Sequence, residues 1–361
     1  MDRATLAGPT RNSQPAAAPE EHIPTAVSQA MARASDAALS IATRVEAVAD
    51  VLKYGFLRDA GAFLAPFADA PEAVELGGFC ERLLAGEALL ADLSLGAGLE
   101  RRKCVSIMVA LAPGARRTVM VFSGIATVPF PLNFGFFHPP RDCNFVFLSD
   151  PTRRFLLTRT PGLGDTYEAT LASVGRVLAG LDTAAVFAMG LSSGGYPALR
   201  LGLDLGARGV LNFSGPTTID MDDDPGAPMS KYPQLVGIYR SAPHLVIGMH
   251  KLYARAATRP SVILIHGDAH PRDTWMAHLL ADNLGAGSSV ELRPMPGFAE
   301  HDTFSAYIEA GRIEGAFVEL LGLQEHQARP GLCPDPAEGS PLETWDPRAT
   351  GPWRVWAAPS S

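Results

Sequence analysis

Short apolar runs alternate with helical patterns from Cys104 to about Leu323, and this alternation organises most of the chain. Several runs are apolar throughout, which is typical of strands that are buried on both faces of a sheet. Strands separated by helices predict a mostly parallel sheet flanked by helices, and therefore an α/β fold. The predicted strands are 105–110, 118–122, 144–148, 185–189, 209–213, 262–265 and 289–292. The predicted helices of this region are 167–180, 196–203, 274–284 and 303–321.

A different pattern precedes the sheet. In residues 25–95, Ala and Leu dominate, and apolar residues recur at helical spacing, as at Val48, Val51, Leu52 and Phe56. We therefore predict a helical N-terminal extension that packs on the main domain. The same helices could also be a docking surface for a protein partner.

The remaining stretches set the domain boundaries. Residues 1–24 are rich in Ala, Pro and polar residues and predict a disordered leader, whereas the Pro- and Trp-rich C-terminal tail either packs by its aromatic rings or is disordered. An acidic stretch opens an interval that interrupts the alternation, and we predict that this interval is a cap insertion. The predicted organisation is a leader (1–24), a helical segment (25–100), an α/β domain (101–323) with a cap at about 216–259, and a tail (324–361).

Composition narrows the class of protein. The 361 residues are 47% hydrophobic and 19% charged, which suits a well-cored globular protein. The net charge is −8 and no Lys/Arg-rich run is present, so we expect no nucleic acid partner. No apolar stretch is long enough to span a membrane and the N-terminus lacks the features of a signal peptide, so we expect a cytoplasmic protein. The apolar surroundings of Cys104 and Cys143 predict buried free thiols.

The pentapeptide Gly190-Leu191-Ser192-Ser193-Gly194 carries the main chemical signal. It lies between an apolar run and a helical stretch, which is the strand–turn–helix context in which a serine becomes a nucleophile. Small residues on both sides allow the sharp turn. The motif alone would occur by chance about 0.2 times in a chain of this composition, so its interpretation depends on finding partners.

A serine nucleophile needs a base, and the base needs an acid that orients it. In the chain order Ser, acid, His, the histidine follows the last strand, and His301 occupies that place in a loop before a helix. The acid should follow the preceding strand, after Gly267. Asp273 is the favoured candidate, although its position before a helix also suits an N-cap, and Asp268 is the alternative.

The oxyanion hole should combine the backbone N–H of Ser193 with an N–H from the loop after an early strand. Gly124 and Ile125 follow such a strand, and a glycine there would let the backbone approach the substrate closely.

A metal site is the competing interpretation of the region around the acid. Five possible ligands cluster there: His266, Asp268, His270, Asp273 and His278. Gly267 and Pro271 oppose a helix that would align the first two histidines, and a helical HExxH motif is lacking, so we predict no metal ligands. The chain also lacks the glycine-rich nucleotide-binding motifs, and we expect no cofactor.

With Ser192, His301 and a late-strand aspartate in this order, the chain from about Cys104 to Leu323 resembles the α/β-hydrolase superfamily. It is similar, more narrowly, to bacterial serine hydrolases related to the accessory secretion proteins of the Asp2-like type and to glycan-modifying esterases. The matching segments are 121–124, 147–151, 190–199 and 272–278. The resemblance implies a small-molecule or glycan ester as the substrate, and either ester hydrolysis or acyl transfer as the reaction.

We therefore expect a serine hydrolase in which Ser192 attacks an ester carbonyl, His301 moves the proton and Asp273 orients His301. An acyltransferase would use the same residues and exclude water. A non-catalytic assembly protein, docking through its helical segment, is the alternative from another class, because a fold does not fix a function.

Overall fold

The computed structural model describes residues 25–95, 106–124, 130, 142–223, 233–285 and 288–322. The predicted leader, the predicted tail, Cys104 and Ile125 lie outside these residues.

A seven-stranded sheet in the strand order β1-β3-β2-β6-β7-β8-β9 forms the centre of the molecule. The edge strand β1 runs antiparallel to β3, and every other neighbouring pair is parallel. A separate hairpin of β4 and β5 lies between β3 and the next helix. The strands are β1 (Ile107–Ala110), β2 (Arg117–Phe122), β3 (Cys143–Leu148), β4 (Thr158–Thr160), β5 (Gly164–Thr166), β6 (Ala185–Leu191), β7 (Gly209–Phe213), β8 (Ser261–Gly267) and β9 (Val290–Met295).

This order and direction of strands is that of the α/β-hydrolase fold, and the expected fold class is confirmed. Each of the seven predicted strands is present, with ends within about three residues of the prediction. The hairpin was not predicted, because three-residue strands are too short to show a periodic pattern.

Eleven α-helices occur in the described residues. They are α1 (Thr25–Ser35), α2 (Ile41–Lys53), α3 (Leu57–Leu64), α4 (Pro71–Asp92), α5 (Tyr167–Gly180), α6 (Gly195–Asp204), α7 (Pro233–Ser241), α8 (Met249–Arg255), α9 (Pro271–Leu284), α10 (Thr303–Glu309) and α11 (Ile313–Leu320). The predicted single helix 303–321 is wrong, because Gly311 adopts a φ of +64° and separates α10 from α11.

Helices cover both faces of the sheet, and the strand residues alternate between them. In β2, Val119 and Val121 join the cluster packed by α1–α4, α10 and α11, whereas Met120 and Phe122 join the cluster packed by α5–α9. The sheet is therefore the middle of three layers, and its strands are apolar on both sides, as their sequences predict.

The N-terminal helical segment is part of one of these layers, and α4 also lies beside the edge strand β1. A Cβ atom on Gly86 would lie 1.8 Å from the Val109 carbonyl oxygen, so only glycine permits this approach of helix and strand. The Arg82 guanidinium donates hydrogen bonds to the carbonyls of Leu111 (2.8 Å) and Cys143 (2.7 Å). Such charged hydrogen bonds stabilise a structure by about 1.5–3 kcal/mol each. A docking role for this segment stays a prediction.

The described part of the predicted cap packs on the flank of the domain against α6. Tyr196 in α6 donates a hydrogen bond to the Ile247 carbonyl (2.8 Å), and Tyr253 in α8 donates one to the Leu199 carbonyl (3.1 Å). Both tyrosines are fully buried. The function of this interval as a cap over the site stays a prediction.

Two cysteines in the described residues, Cys80 and Cys143, are buried and free. Burial raises the pKa of each thiol to about 12, because the thiolate would lose its solvation. Neither thiol is therefore a candidate nucleophile. None of the described helices is both long and apolar enough to cross a bilayer.

Candidate active site

The turn after β6 presents Ser192 at the carboxyl edge of the sheet. Strand β6 ends at Leu191, a 3-10 turn occupies Ser192–Gly194, and α6 begins at Gly195. Ser192 has a φ of +49°, a left-handed conformation that non-glycine residues rarely adopt. Strain of this kind persists only where the surrounding structure imposes it, and it is characteristic of a nucleophile elbow.

Close backbone packing imposes that conformation. A Cβ atom on Gly190 would lie 2.5 Å from the Cα of Gly195, and one on Gly194 would lie 2.3 Å from the Phe122 carbonyl oxygen. A Cβ atom on Gly195 would lie 2.4 Å from Oδ1 of Asn212. The turn therefore fits only because three of its positions lack side chains.

His301 stands beside the serine, in the loop between β9 and α10. Its Nε2 lies 2.7 Å from the Ser192 hydroxyl oxygen, within hydrogen-bond distance. The side chain of His301 is 42% exposed, so water can reach the ring. The helix that follows is fixed by a hydrogen bond between the hydroxyls of Ser214 and Thr303 (2.9 Å), and the Thr303 N–H donates to the His301 carbonyl (3.0 Å).

Asp273 contacts the other side of the imidazole. Nδ1 of His301 lies 2.8 Å from one carboxylate oxygen of Asp273 and 3.1 Å from the other. The Asp273 side chain is only 5% exposed, so its charge is held in place by the protein rather than by water. A buried carboxylate at Nδ1 keeps the proton on that nitrogen and leaves the Nε2 lone pair facing the serine.

The first turn of α9 places Asp273 at this point. His270, rather than Asp273, is the N-cap of that helix, and its Nδ1 accepts a hydrogen bond from the Asp273 N–H (3.2 Å). The carboxylate of Asp273 is therefore not used for capping and faces His301. The motif gave no sign of this role for His270, because histidine is not among the preferred N-cap residues.

Asp268, the alternative acid, has a different partner. Its Oδ1 accepts a hydrogen bond from the Gly297 N–H (2.7 Å), and two backbone hydrogen bonds run beside it, from Asp268 N–H to Met295 (3.3 Å) and from Ala269 N–H to Phe298 (3.2 Å). These bonds join the loop after β8 to the loop that carries His301. The structure thus brings Asp273 to the imidazole and Asp268 to the loop backbone.

The predicted oxyanion region lies directly beside the nucleophile. Phe122 at the end of β2 pairs with Gly190 of β6, which brings the following loop to the elbow. A Cβ atom on Gly124 would lie 3.2 Å from the Cβ of Ser192 and 3.7 Å from its hydroxyl oxygen. Ser193 is buried in the turn that precedes α6. Ile125 is outside the described residues.

His266 and His278, the remaining members of the metal alternative, pack against each other at a ring-centroid distance of 6.3 Å. His266 is buried at the end of β8, and its Nδ1 has no hydrogen-bond partner among the described residues. Burial, reinforced by the charge of His278, lowers the pKa of His266 below its ordinary value of 6.5. His266 is therefore expected to be neutral at pH 7.

The comparisons with known proteins concern the fold. No family model matches the chain, and no curated protein matches its sequence. Similar solved structures include an α/β-hydrolase enzyme from a sediment metagenome of the Mar Chica lagoon, Morocco (13% identity, 59% of this chain and 94% of that one, TM-score 0.40). A putative esterase from Staphylococcus aureus has 11% identity over 58% of this chain and 79% of its own (TM-score 0.38). The capsule O-acetyltransferase of Neisseria meningitidis serogroup A has 11% identity over 58% and 90% (TM-score 0.40).

These likenesses are distant. The chain has the α/β-hydrolase fold, and a serine, a histidine and an aspartate meet at the carboxyl edge of its sheet.

Proposed function

We propose that the protein is a serine hydrolase that cleaves a carboxylic ester through an acyl-enzyme intermediate on Ser192. The observation that supports this function is the continuous hydrogen-bonded series from Ser192 to His301 (2.7 Å) and from His301 to Asp273 (2.8 Å). Each contact is within normal hydrogen-bond range, and the order of the groups is that of a nucleophile, its base and an orienting acid.

In the proposed reaction, the Ser192 hydroxyl attacks the ester carbonyl while His301 Nε2 takes its proton. The imidazolium that forms is stabilised by the buried carboxylate of Asp273. The backbone N–H of Ser193 and the loop at Gly124 and Ile125 are assigned to the developing oxyanion, where such donors contribute about 10²–10³ in rate. His301 then returns the proton to the leaving alcohol, and water releases the acyl group from Ser192.

The exposure of His301 favours hydrolysis over acyl transfer. A transferase must keep water away from the acyl-enzyme, whereas the His301 side chain is 42% exposed. We therefore propose acyl transfer only as a second reaction of the same intermediate. Adding glycerol or a free sugar to the assay tests it, because transfer would consume ester faster than free acid appears.

The substrate class rests on the resemblance in the sequence, which implies a small ester or an acylated carbohydrate. A series of p-nitrophenyl esters from acetate to octanoate, followed by acetylated sugars, tests this class. A preference for short acyl groups together with acid release from the acetylated sugars would support a glycan esterase.

A fluorophosphonate probe tests the nucleophile directly. Wild-type protein should be labelled on Ser192 and lose esterase activity, and Ser192→Ala should show neither labelling nor activity. Ser123→Ala is the matched control, because it removes a hydroxyl at the same sheet edge that bonds the Leu148 carbonyl (3.3 Å) instead of His301. Equal labelling of wild type and Ser192→Ala would contradict the proposal, and no labelling of folded wild type would favour the non-catalytic alternative, a scaffold that docks through residues 25–95.

A further inference from the structure

Three possible metal ligands lie close together at the Nδ1 side of His301, away from Ser192. One imidazole nitrogen of His270, a carboxylate oxygen of Asp273 and one imidazole nitrogen of His301 all lie within 4.8 Å of one another. His270 Nδ1 is 3.2 Å from one Asp273 oxygen, and His301 Nδ1 is 2.8 Å from the other. Adjacent ligand atoms around a tetrahedral Zn²⁺, with bonds of about 2.0–2.2 Å, are about 3.3 Å apart. We propose that these three side chains form a Zn²⁺-binding site, and that Zn²⁺ bound there inhibits the enzyme.

The chemistry of the ligands selects the metal. Two imidazoles and one carboxylate, with a fourth position left for water, form a ligand set that zinc uses in proteins. Mg²⁺ and Ca²⁺ prefer oxygen ligands in larger numbers, so they should bind this set poorly. The two imidazoles are partly exposed, at 25% for His270 and 42% for His301, and an ion can reach them from solvent.

Nδ1 of His270 lies within hydrogen-bond distance of the Asp273 N–H, and the neutral tautomer that accepts this hydrogen bond carries its lone pair on Nδ1, the nitrogen that would bind a metal. Zn²⁺ would displace this capping hydrogen bond and the hydrogen bond between His301 Nδ1–H and Asp273, and two bonds from imidazole and one from carboxylate to zinc would replace them.

Binding would remove the base from the proposed mechanism. In the hydrolase, His301 carries its proton on Nδ1 and offers the Nε2 lone pair to Ser192. When Zn²⁺ bonds to Nδ1, the Nδ1–H bond breaks and an Nε2–H bond forms, so the ring stays neutral with its proton on the other nitrogen. Nε2 is then a donor and cannot accept the Ser192 proton. This inhibitory consequence rests on the proposed function, whereas the metal site itself does not.

Calorimetric titration of ZnCl₂ into the metal-free full-length protein tests the site. Wild type should bind one ion, and His270→Asn should bind it at least 20-fold more weakly. Asparagine is a good N-cap, so this variant keeps the capping acceptor and loses only the metal ligand. His270→Asp keeps a cap and an oxygen ligand, and its affinity should lie between the two. MgCl₂ should give no binding to wild type at the same concentrations.

Ester hydrolysis by wild type should fall as Zn²⁺ fills the site and recover with EDTA, and inhibition of His270→Asn should need at least 20-fold more Zn²⁺. Thermal melting confirms that each variant is folded. Should His270→Asn not fold, His301→Gln removes the second imidazole from an exposed loop and should weaken Zn²⁺ binding to a similar extent.

Two results would overturn the proposal: no 1:1 binding of Zn²⁺ to wild type, or equal affinity in wild type and His270→Asn. These results differ from a failure of the proposed function. A protein that binds Zn²⁺ through His270 and hydrolyses no ester keeps the metal site and loses the hydrolase assignment. A protein that hydrolyses esters and does not bind Zn²⁺ supports the hydrolase assignment and contradicts the metal site.

Discussion

The two halves of the site are held together in different ways. The nucleophile half, from Gly190 to Gly195, is fixed by backbone packing around positions without side chains. The acid–base half, in the loops after β8 and β9, has one such close contact, at Gly267, and is otherwise held by hydrogen bonds, above all those of the side chains of Asp268, His270 and Asp273. The nucleophile half is therefore mainly intolerant of added atoms, and the acid–base half is mainly sensitive to lost polar groups.

Because of this difference, we expect changes in one half to affect mainly stability and changes in the other half to affect mainly activity. A change in the nucleophile half should act first on folding, because any added atom meets backbone that cannot move aside. A change in the acid–base half should act first on the rate, because the exposed loops can adapt while the imidazole loses its orientation.

The largest expected effect is on the rate, in the acid–base half. Asp273→Asn should lower kcat by about 10⁴-fold, because an amide cannot hold the Nδ1–H tautomer of His301 or stabilise its imidazolium. The melting temperature should change little. Steady-state kinetics with a p-nitrophenyl ester, together with thermal melting, measure both.

Asp268→Asn is the control for that experiment. An asparagine oxygen can still accept the Gly297 N–H, so activity should stay near that of wild type. If Asp268→Asn were instead the inactive variant, the acid would be assigned to the wrong residue.

The second effect is on folding, in the nucleophile half. Gly190→Ala should lower the free energy of unfolding by about 1–3 kcal/mol, because its Cβ would lie 2.5 Å from the Cα of Gly195. Gly77→Ala on α4 is the matched control: a Cβ there meets nothing within 4 Å, and the change should stabilise the helix by up to about 1 kcal/mol. Urea denaturation of both variants would refute the comparison if Gly190→Ala proved as stable as wild type.

A smaller effect concerns the connection between the two loops. Asp268→Ala removes the acceptor of the Gly297 N–H and should cost about 1 kcal/mol of stability. The rate should fall by about tenfold, because the loop that carries His301 loses one of its hydrogen bonds. A fall in rate as large as that of Asp273→Asn would show that Asp268 acts on His301 directly.

The smallest effect is a dependence of stability on pH. Because the pKa of His266 is lowered in the folded protein, the unfolded chain binds the proton first as the pH falls below about 6.5. Stability should therefore decrease on acidification from pH 6.5 towards the folded pKa, by less than about 1.4 kcal/mol per pH unit from this group. Denaturation of His266→Phe at several pH values should show a flatter profile than that of wild type.

The difference between the nucleophile half and the acid–base half also explains how much of the site could be predicted from the sequence. The glycines at positions 190 and 194 are required by the turn, so the motif itself marks the nucleophile half. The continuous apolar strands made the sheet equally visible. In the acid–base half, two aspartates followed β8 and either could have reached the imidazole; only the three-dimensional positions of Gly297 and His301 separate them.

Other contacts that position the site residues leave no local pattern in the sequence. His270 caps a helix without being a typical capping residue. The hydroxyl pair of Ser214 and Thr303 joins groups 89 residues apart, and Asn212 reaches back to the nucleophile turn across the sheet. Such contacts depend on tertiary packing and cannot be derived from neighbours along the chain.

The two edge strands of the sheet, β1 and β9, influence whether molecules of this protein associate by strand pairing. An edge strand has unpaired N–H and C=O groups, to which a strand of another molecule can bind. At β9, Pro294 lacks an N–H, and Arg293 pairs with Glu291 and Glu319, so strand addition is disfavoured there. At β1, the protection comes from α4 through Gly86. Removal of residues 25–92 should therefore expose both this edge and the apolar face of the sheet that α1–α4 cover, and the protein should aggregate.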